Sequence, residues 1–183
     1  MIPSDVESLA LHRKYGSSDR IVSHCKTVTR VAEILAEEFN RRGRQVDVRM
    51  VVAGAMLHDI GRSRVQTVMH GVEGSRIITK EGADKEVVEI VQKHVGAGIS
   101  PAEAKSLGLP DLDLIPRSLE ERIVCFADKM VDGDRVRPFD GEVRRFAMKK
   151  HDVPRLLDLK KKLQEELGED PEKVVFDKIK GTD

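Results

Sequence analysis

Apolar residues recur at three- and four-residue steps along nearly the whole chain. Over 19–42, Ile21, His24, Val28, Val31 and Leu35 fall on one stripe, the signature of an amphipathic helix that places His24 among core residues. Asp47 reads as the cap of a second helix, whose apolar run from Met50 to Leu57 ends at His58. Gly61 then supplies a turn, and Arg62-Ser63-Arg64 a short basic loop. The pattern predicts a helix over 69–80 with His70 in its first turn, and another from Ala83-Asp84 to His94. Punctuation marks the other elements: Ser4 caps a short helix stopped at Tyr15-Gly16, while Ser100-Pro101 with Glu103, Ser118 with Glu121, and Asp170-Pro171 are helix starts. The Ser118 helix is predicted to run to Met130 with Val124, Cys125 and Asp128 on one face. Segments 107–117 and 132–138 read as loops, and helices over 142–150, 152–167 and 170–180 close the chain. No stretch sustains the two-residue period of a strand. The expectation is an all-α single domain over 1–183.

Composition bounds the function. The 183 residues are 39% apolar and 35% charged, with a net charge of zero, so the overall field does not recruit nucleic acid or membrane. Aromatics at 3% leave little for bases to stack on. No apolar run approaches the length of a membrane span, and a cytoplasmic location is expected. A single Asn and four Gln beside abundant Lys, Arg and Glu resemble a thermophile's composition. Cys25 and Cys125 form no disulfide framework and no zinc ribbon, and both are expected to be buried thiols. His12 and His151 are expected at the surface. The pairs Arg144-Arg145 and Lys149-Lys150, like Lys160-Lys161-Lys162, are expected on solvated helix faces balanced by nearby acids.

Six residues stand apart. His24, His58, Asp59, His70, His94 and Asp128 each lie in or at the end of a predicted helix. A mixed imidazole and carboxylate set suits Zn, Fe, Mn or Ni and argues against a closed structural zinc site.

His58-Asp59-Ile60-Gly61, a helical His upstream and Ala127-Asp128-Lys129 downstream together resemble the HD-domain superfamily of metal-dependent phosphohydrolases in its HDIG form. The resemblance runs over about 19–131 and implies a helical HD-domain fold, an orthogonal helix bundle around a metal site. It makes His24, His58, Asp59 and Asp128 ligands of a first metal. The segment beginning His70-Gly71, together with His94, is similar to the two-metal members, among them hydrolases of dinucleoside polyphosphates. One or two divalent metals per chain are implied, Fe or Mn favoured and Zn, Ni, Co or Mg compatible. The chain departs from the cyclic-di-GMP branch in lacking its paired histidines and in having Arg62 where that branch has Lys. The implied reaction is cleavage of a phosphate ester or anhydride of a small nucleotide-like molecule by metal-activated water. Asp59, Arg62 and Lys129 are the catalytic candidates; Arg62, Arg64 and Lys129 are the candidates to hold phosphate oxygens. Glu73 and Arg76 are candidates to support the ligands from behind. The alternative expectation is a metal- and nucleotide-binding regulatory module without turnover. No membrane or nucleic-acid partner is expected, and self-association is left open.

Overall fold

The computed structural model describes residues 1–181. Helices α1 (Asp5–Lys14), α2 (Asp19–Arg41), α3 (Val48–Leu57), α4 (His70–Lys80), α5 (Lys85–Lys93), α6 (Pro101–Ser106) and α7 (Leu119–Lys129) are followed by two short strands, β1 (Val131–Asp132) and β2 (Arg135–Val136). Helices α8 (Phe139–Met148), α9 (Val153–Leu167) and α10 (Pro171–Lys180) complete the chain. The all-α expectation holds. Starts follow the capping chemistry: Ser18 accepts from the Ile21 N–H, Asp47 from Met50, and Ser100 and Ser118 form reciprocal capping boxes with Glu103 and Glu121.

The stripe on α2 makes it the spine. Val28, Val31, Ala32, Leu35, Ala36 and Phe39 are fully buried, and α2 packs against α3, α7 and α10. Each large apolar side chain removed from water in this way contributes about 1.5–3 kcal/mol before entropy is counted. A second apolar cluster joins Ala53, Leu57 and Ile60 to Ile77 and Ile78 of α4 and to Val87 and Val91 of α5. It presses the His58 end of α3 against the helices that carry His70 and His94. The α5 helix is also tied to α7, because Lys93 Nζ donates to Glu121 Oε1 at 2.8 Å.

The structure departs from the expected element limits in one region. The loop predicted over 132–138 contains an antiparallel ladder pairing Val131 with Val136 and Asp132 with Arg135 around Gly133, whose φ is 63°. Two residues per strand are too few for periodicity to reveal. The next helix starts at Phe139 rather than 142, because Phe139 is buried against Phe126 with ring centroids 5.2 Å apart. Its end at Met148 is sharp: Lys150 takes φ 56°, a left-handed conformation better suited to glycine, and the His151 N–H donates to the Phe146 carbonyl at 2.9 Å. Among the described residues no helix is long and apolar enough to cross a membrane.

Gly61 has a packing role rather than a conformational one. A Cβ placed there would stand 2.0 Å from the His70 carbonyl oxygen and 2.5 Å from the Gly74 nitrogen. Backbone against backbone cannot yield as a side chain can. We therefore expect Gly61→Ala to destabilise the fold by about 1–3 kcal/mol, read as a lower midpoint of urea unfolding with an unchanged slope.

Candidate metal centre

The six metal-capable residues come from separate elements and converge. His24 is on α2, His58 caps the C-terminus of α3, and Asp59 opens the 3-10 turn Ile60–Ser63. His70 is the first residue of α4, His94 caps α5, and Asp128 lies in the last turn of α7. The two carboxylate oxygens of Asp59 face different neighbours. Oδ2 lies 3.8 Å from His58 Nε2 and 4.0 Å from His24 Nε2, while Oδ1 lies 3.1 Å from His70 Nε2 and 3.4 Å from His94 Nε2. Asp128 Oδ1 completes the first group at 3.0 Å from His24 Nε2 and 3.5 Å from His58 Nε2. Donor atoms about 2.0–2.2 Å from one ion stand roughly 3–4 Å from each other, and these separations are of that size. His24, His58 and Asp59 form one group able to hold an ion, and Asp59, His70 and His94 another.

The hydrogen bonding fits metal ligation. Every one of these four imidazoles has Nδ1 at 2.7 Å from a backbone carbonyl: His24 from Gly133, His58 from Ala55, His70 from Thr67 and His94 from Val91. A carbonyl only accepts, so each Nδ1 carries the proton and each Nε2 presents its lone pair to the centre. His70 Nε2 and His94 Nε2 then meet at 3.0 Å, a contact that two lone pairs tolerate only with a proton or cation between them. His58 Nε2 is buried without a hydrogen-bond partner, a state that costs about 1–3 kcal/mol unless something else satisfies it. The donor set fits a divalent metal.

The electrostatics favour positive charge at this point. Burial would raise the Asp59 carboxyl, but His58, His70 and His94 outweigh it and hold the group well below the usual carboxylate range. Asp128 is likewise pushed up by burial and brought well below that range by Lys129, His24 and His58. Burial lowers His24 and His58, yet neighbouring acidic groups more than offset it: Asp128 for His24, and Cys25, Asp59 and Asp128 for His58. Both therefore hold protons more tightly than an ordinary imidazole. His94, where burial dominates, is brought down to about 4. Protons and a metal compete for the same Nε2 atoms.

Arg62 Nε stands 2.7 Å from Asp59 Oδ1 as an ion-pair contact. Lys129 Nζ contacts Asp128 Oδ2 and lies 3.5 Å from the His94 carbonyl. Both line a cavity of about 570 Å³ that His70 also borders. Arg64 does not join them: its guanidinium lies 5.3 Å from the centre of the Tyr15 ring, because the 3-10 turn carries residues 62 and 64 in different directions. Glu73 and Arg76 pair with each other along α4, and among the described residues no hydrogen bond or ion pair joins either of them to the six donors. The imidazoles are supported instead by backbone carbonyls, which residue order alone cannot name.

Two further expectations meet the structure differently. Both cysteines are buried, as expected. Cys125 is pushed up to about 12, chiefly by burial, and its thiol donates to the carbonyls of His94 and Gly96. Burial raises Cys25, but His58 and His12 outweigh it and bring the thiol to about 7. His12 is not a surface residue: it is 1% exposed, with Nε2 2.7 Å from the Met56 carbonyl and Nδ1 2.8 Å from Ser17 Oγ. It faces inward because α1 packs on α3, and α1 has no apolar stripe to announce that face. His151 is exposed, as expected.

The shared carboxylate sets the expected stoichiometries. His94→Ala should weaken metal binding by the Asp59–His70–His94 group and spare the His24–His58–Asp59 group, whereas Asp59→Ala should weaken both, as read by elemental analysis after dialysis. The pH dependence has a definite sign. Because His24 and His58 hold protons above the ordinary imidazole value of 6.5, a metal must displace them. Affinity should therefore rise with pH throughout the range below the raised values and level off above them, with protons released on binding, as calorimetry in buffers of different ionisation enthalpy would detect.

Comparison with known proteins agrees with this centre. The HD-domain family model matches residues 21–131. The chain is 39% identical over 176 residues to a tRNA (cytidine(56)-2'-O)-methyltransferase of Thermoplasma volcanium, covering 95% of this chain and 51% of that protein. It is 37% identical over 168 residues to the protein of the same name from Picrophilus torridus, covering 91% and 47% respectively. It thus spans about half the length of these two relatives. An uncharacterized protein of Methanocaldococcus jannaschii is 41% identical over 129 residues, covering 70% of this chain and 76% of the relative. No solved structure matches the chain. All six donor residues fall inside the matched segment, which is more than half of the sequence, and the chain belongs to the HD-domain family.

Proposed function

We propose that the chain is a metal-dependent phosphohydrolase that cleaves a phosphate ester or anhydride of a small nucleotide-like molecule. The observation that carries this reading is the shared carboxylate: Asp59 joins two donor groups whose imidazoles are all held with Nε2 inward, and His70 of this centre borders a cavity of about 570 Å³. That volume lies within the range of small-molecule sites. A metal bound there supplies Lewis acidity and a lowered pKa for water. The chain's own residues supply the rest. Arg62 has a flat, bidentate donor group at the cavity wall while it braces Asp59. The Lys129 ammonium is held by Asp128 with its charge available to a phosphate oxygen. Dinucleoside polyphosphates are one substrate class consistent with the sequence resemblance, and iron or manganese are the favoured metals.

The methyltransferase name belongs to proteins about twice as long as this chain, and family membership alone does not assign an activity. Those relatives favour a second reading, in which the domain binds metal and nucleotide beside an RNA-modifying unit without turnover of its own. The two readings separate in one experiment. Protein loaded with Mn or Fe is assayed against phosphomonoesters, cyclic phosphates and dinucleoside polyphosphates, beside Asp59→Ala. Metal-dependent release of phosphate or nucleotide, reduced at least ~100-fold in Asp59→Ala with the fold intact, is the expected result. Metal binding with no turnover of any of these would favour the second reading, and full turnover by Asp59→Ala would reject the first.

A further inference from the structure

We propose that the cavity takes a second phosphate of the same small nucleotide, and that the α8–α9 corner, Lys149-Lys150-His151, is the subsite for it. The inference rests on the phosphohydrolase reading for the position of the first phosphate only.

The charge around the cavity carries the argument. Its lining holds Arg62, Lys129, Arg145, Lys149, Lys150 and Arg155 against Glu103, Glu142 and Asp152. Each of those acids is already engaged by an arginine: Glu142 by Arg145 at 2.6 Å, and Glu103 and Asp152 by Arg155 at 2.8 and 2.9 Å. Arg62 and Lys129 are held by Asp59 and Asp128 beside the metal centre. Lys149 and Lys150 remain: among the described residues neither ammonium has an acidic partner, although both line the cavity. Both lysines are exposed, as expected, but the acidic balance expected for this pair is not found among the described residues. A chain of zero net charge has concentrated uncompensated cations in this pocket.

The backbone adds an independent sign. Lys150 is the single non-glycine residue with a positive φ among those described. Glycine would end α8 there with less strain, yet the position carries a long cationic side chain at the cavity. Strain kept at a binding surface is the pattern expected where the side chain, not the turn, is useful. The corner is also held in place. Arg155 Nη1 donates to the Gly98 carbonyl at 2.9 Å, tying α9 to the loop after His94. One phosphate at the metal centre would be matched by Arg62 and Lys129, and two more cations in the same cavity match a second anionic group. The same cavity is lined by Val95, Ile99 and Phe146, apolar surface for a nucleoside.

The test measures binding, so it does not depend on turnover. Manganese-loaded protein is titrated with adenosine 5'-monophosphate and with adenosine 3',5'-bisphosphate, in the wild type and in Lys149→Ala/Lys150→Gly. The glycine suits the φ at position 150, so the variant should melt no lower than the wild type. We expect the bisphosphate to bind about tenfold tighter than the monophosphate in the wild type. That advantage should fall below about threefold in the variant, with monophosphate affinity nearly unchanged. Lys161→Ala/Lys162→Ala, which removes two exposed charges that do not line the cavity, should keep the tenfold ratio. An equal ratio in wild type and corner variant, or an equal loss in the Lys161/Lys162 control, would overturn the subsite. A protein that shows the expected ratios but turns over no phosphate substrate would refute the phosphohydrolase reading and leave the subsite standing.

Discussion

Four imidazole protons held by four backbone carbonyls are the interaction on which the rest of the site depends. Helix C-termini leave carbonyls without intrahelical donors, and His58 and His94 use that vacancy directly. Each caps its own helix, and each gives its Nδ1 proton to the carbonyl three residues back, Ala55 and Val91. A need of the helix end and a need of the metal centre are met by one hydrogen bond. His70 does the same with Thr67 before α4, and His24 with Gly133 in the hairpin. Once those protons are committed, every Nε2 must look inward, and the centre becomes a collection of lone pairs and carboxylates that only positive charge can hold together.

The scaffold exists to keep those ends in register. The α2 spine brings His24 alongside α3 and α7, and Gly61 lets the turn after Asp59 lie directly on the backbone of α4. Gly71 serves a similar close approach to α5, since a Cβ there would stand 2.8 Å from Val95 Cγ2 and 3.0 Å from the Gln92 carbonyl. The Lys93–Glu121 pair ties the His94 helix to the Asp128 helix. These contacts are short and unforgiving, which suits a site whose donors must each hold position to within about 0.5 Å.

The C-terminal helices have a different task. The family match ends at residue 131, yet α8, α9 and the corner between them contribute Glu142, Arg145, Phe146, Lys149, Lys150 and Arg155 to the cavity wall. The metal centre is thus built by the segment shared with the family, while much of the space in front of it is built by these two later helices. The relatives from Thermoplasma volcanium and Picrophilus torridus match 95% and 91% of this chain, so these later helices are shared with them although the family model stops before α8.

Much of this is legible in the residue order. Helical periodicity and caps locate α1 to α7 closely, because they report local hydrogen bonding and the apolar face of each helix. The His58-Asp59-Ile60-Gly61 segment with His24, His70, His94 and Asp128 identifies the donors, because imidazoles and carboxylates seldom lie on apolar faces without partners. The order of residues does not show which side chains meet across elements. His12 reads as a surface residue because α1 has no apolar stripe, Arg64 reads as a phosphate ligand although it packs on Tyr15, and Glu73 and Arg76 bond to one another. Lys149 and Lys150 likewise look like ordinary surface charge. Sequence alone therefore determined the elements and the chemistry available. Tertiary packing decided which carbonyl orients each imidazole, which cations are neutralised and which are left facing the cavity, because those outcomes depend on distances between residues far apart in the chain.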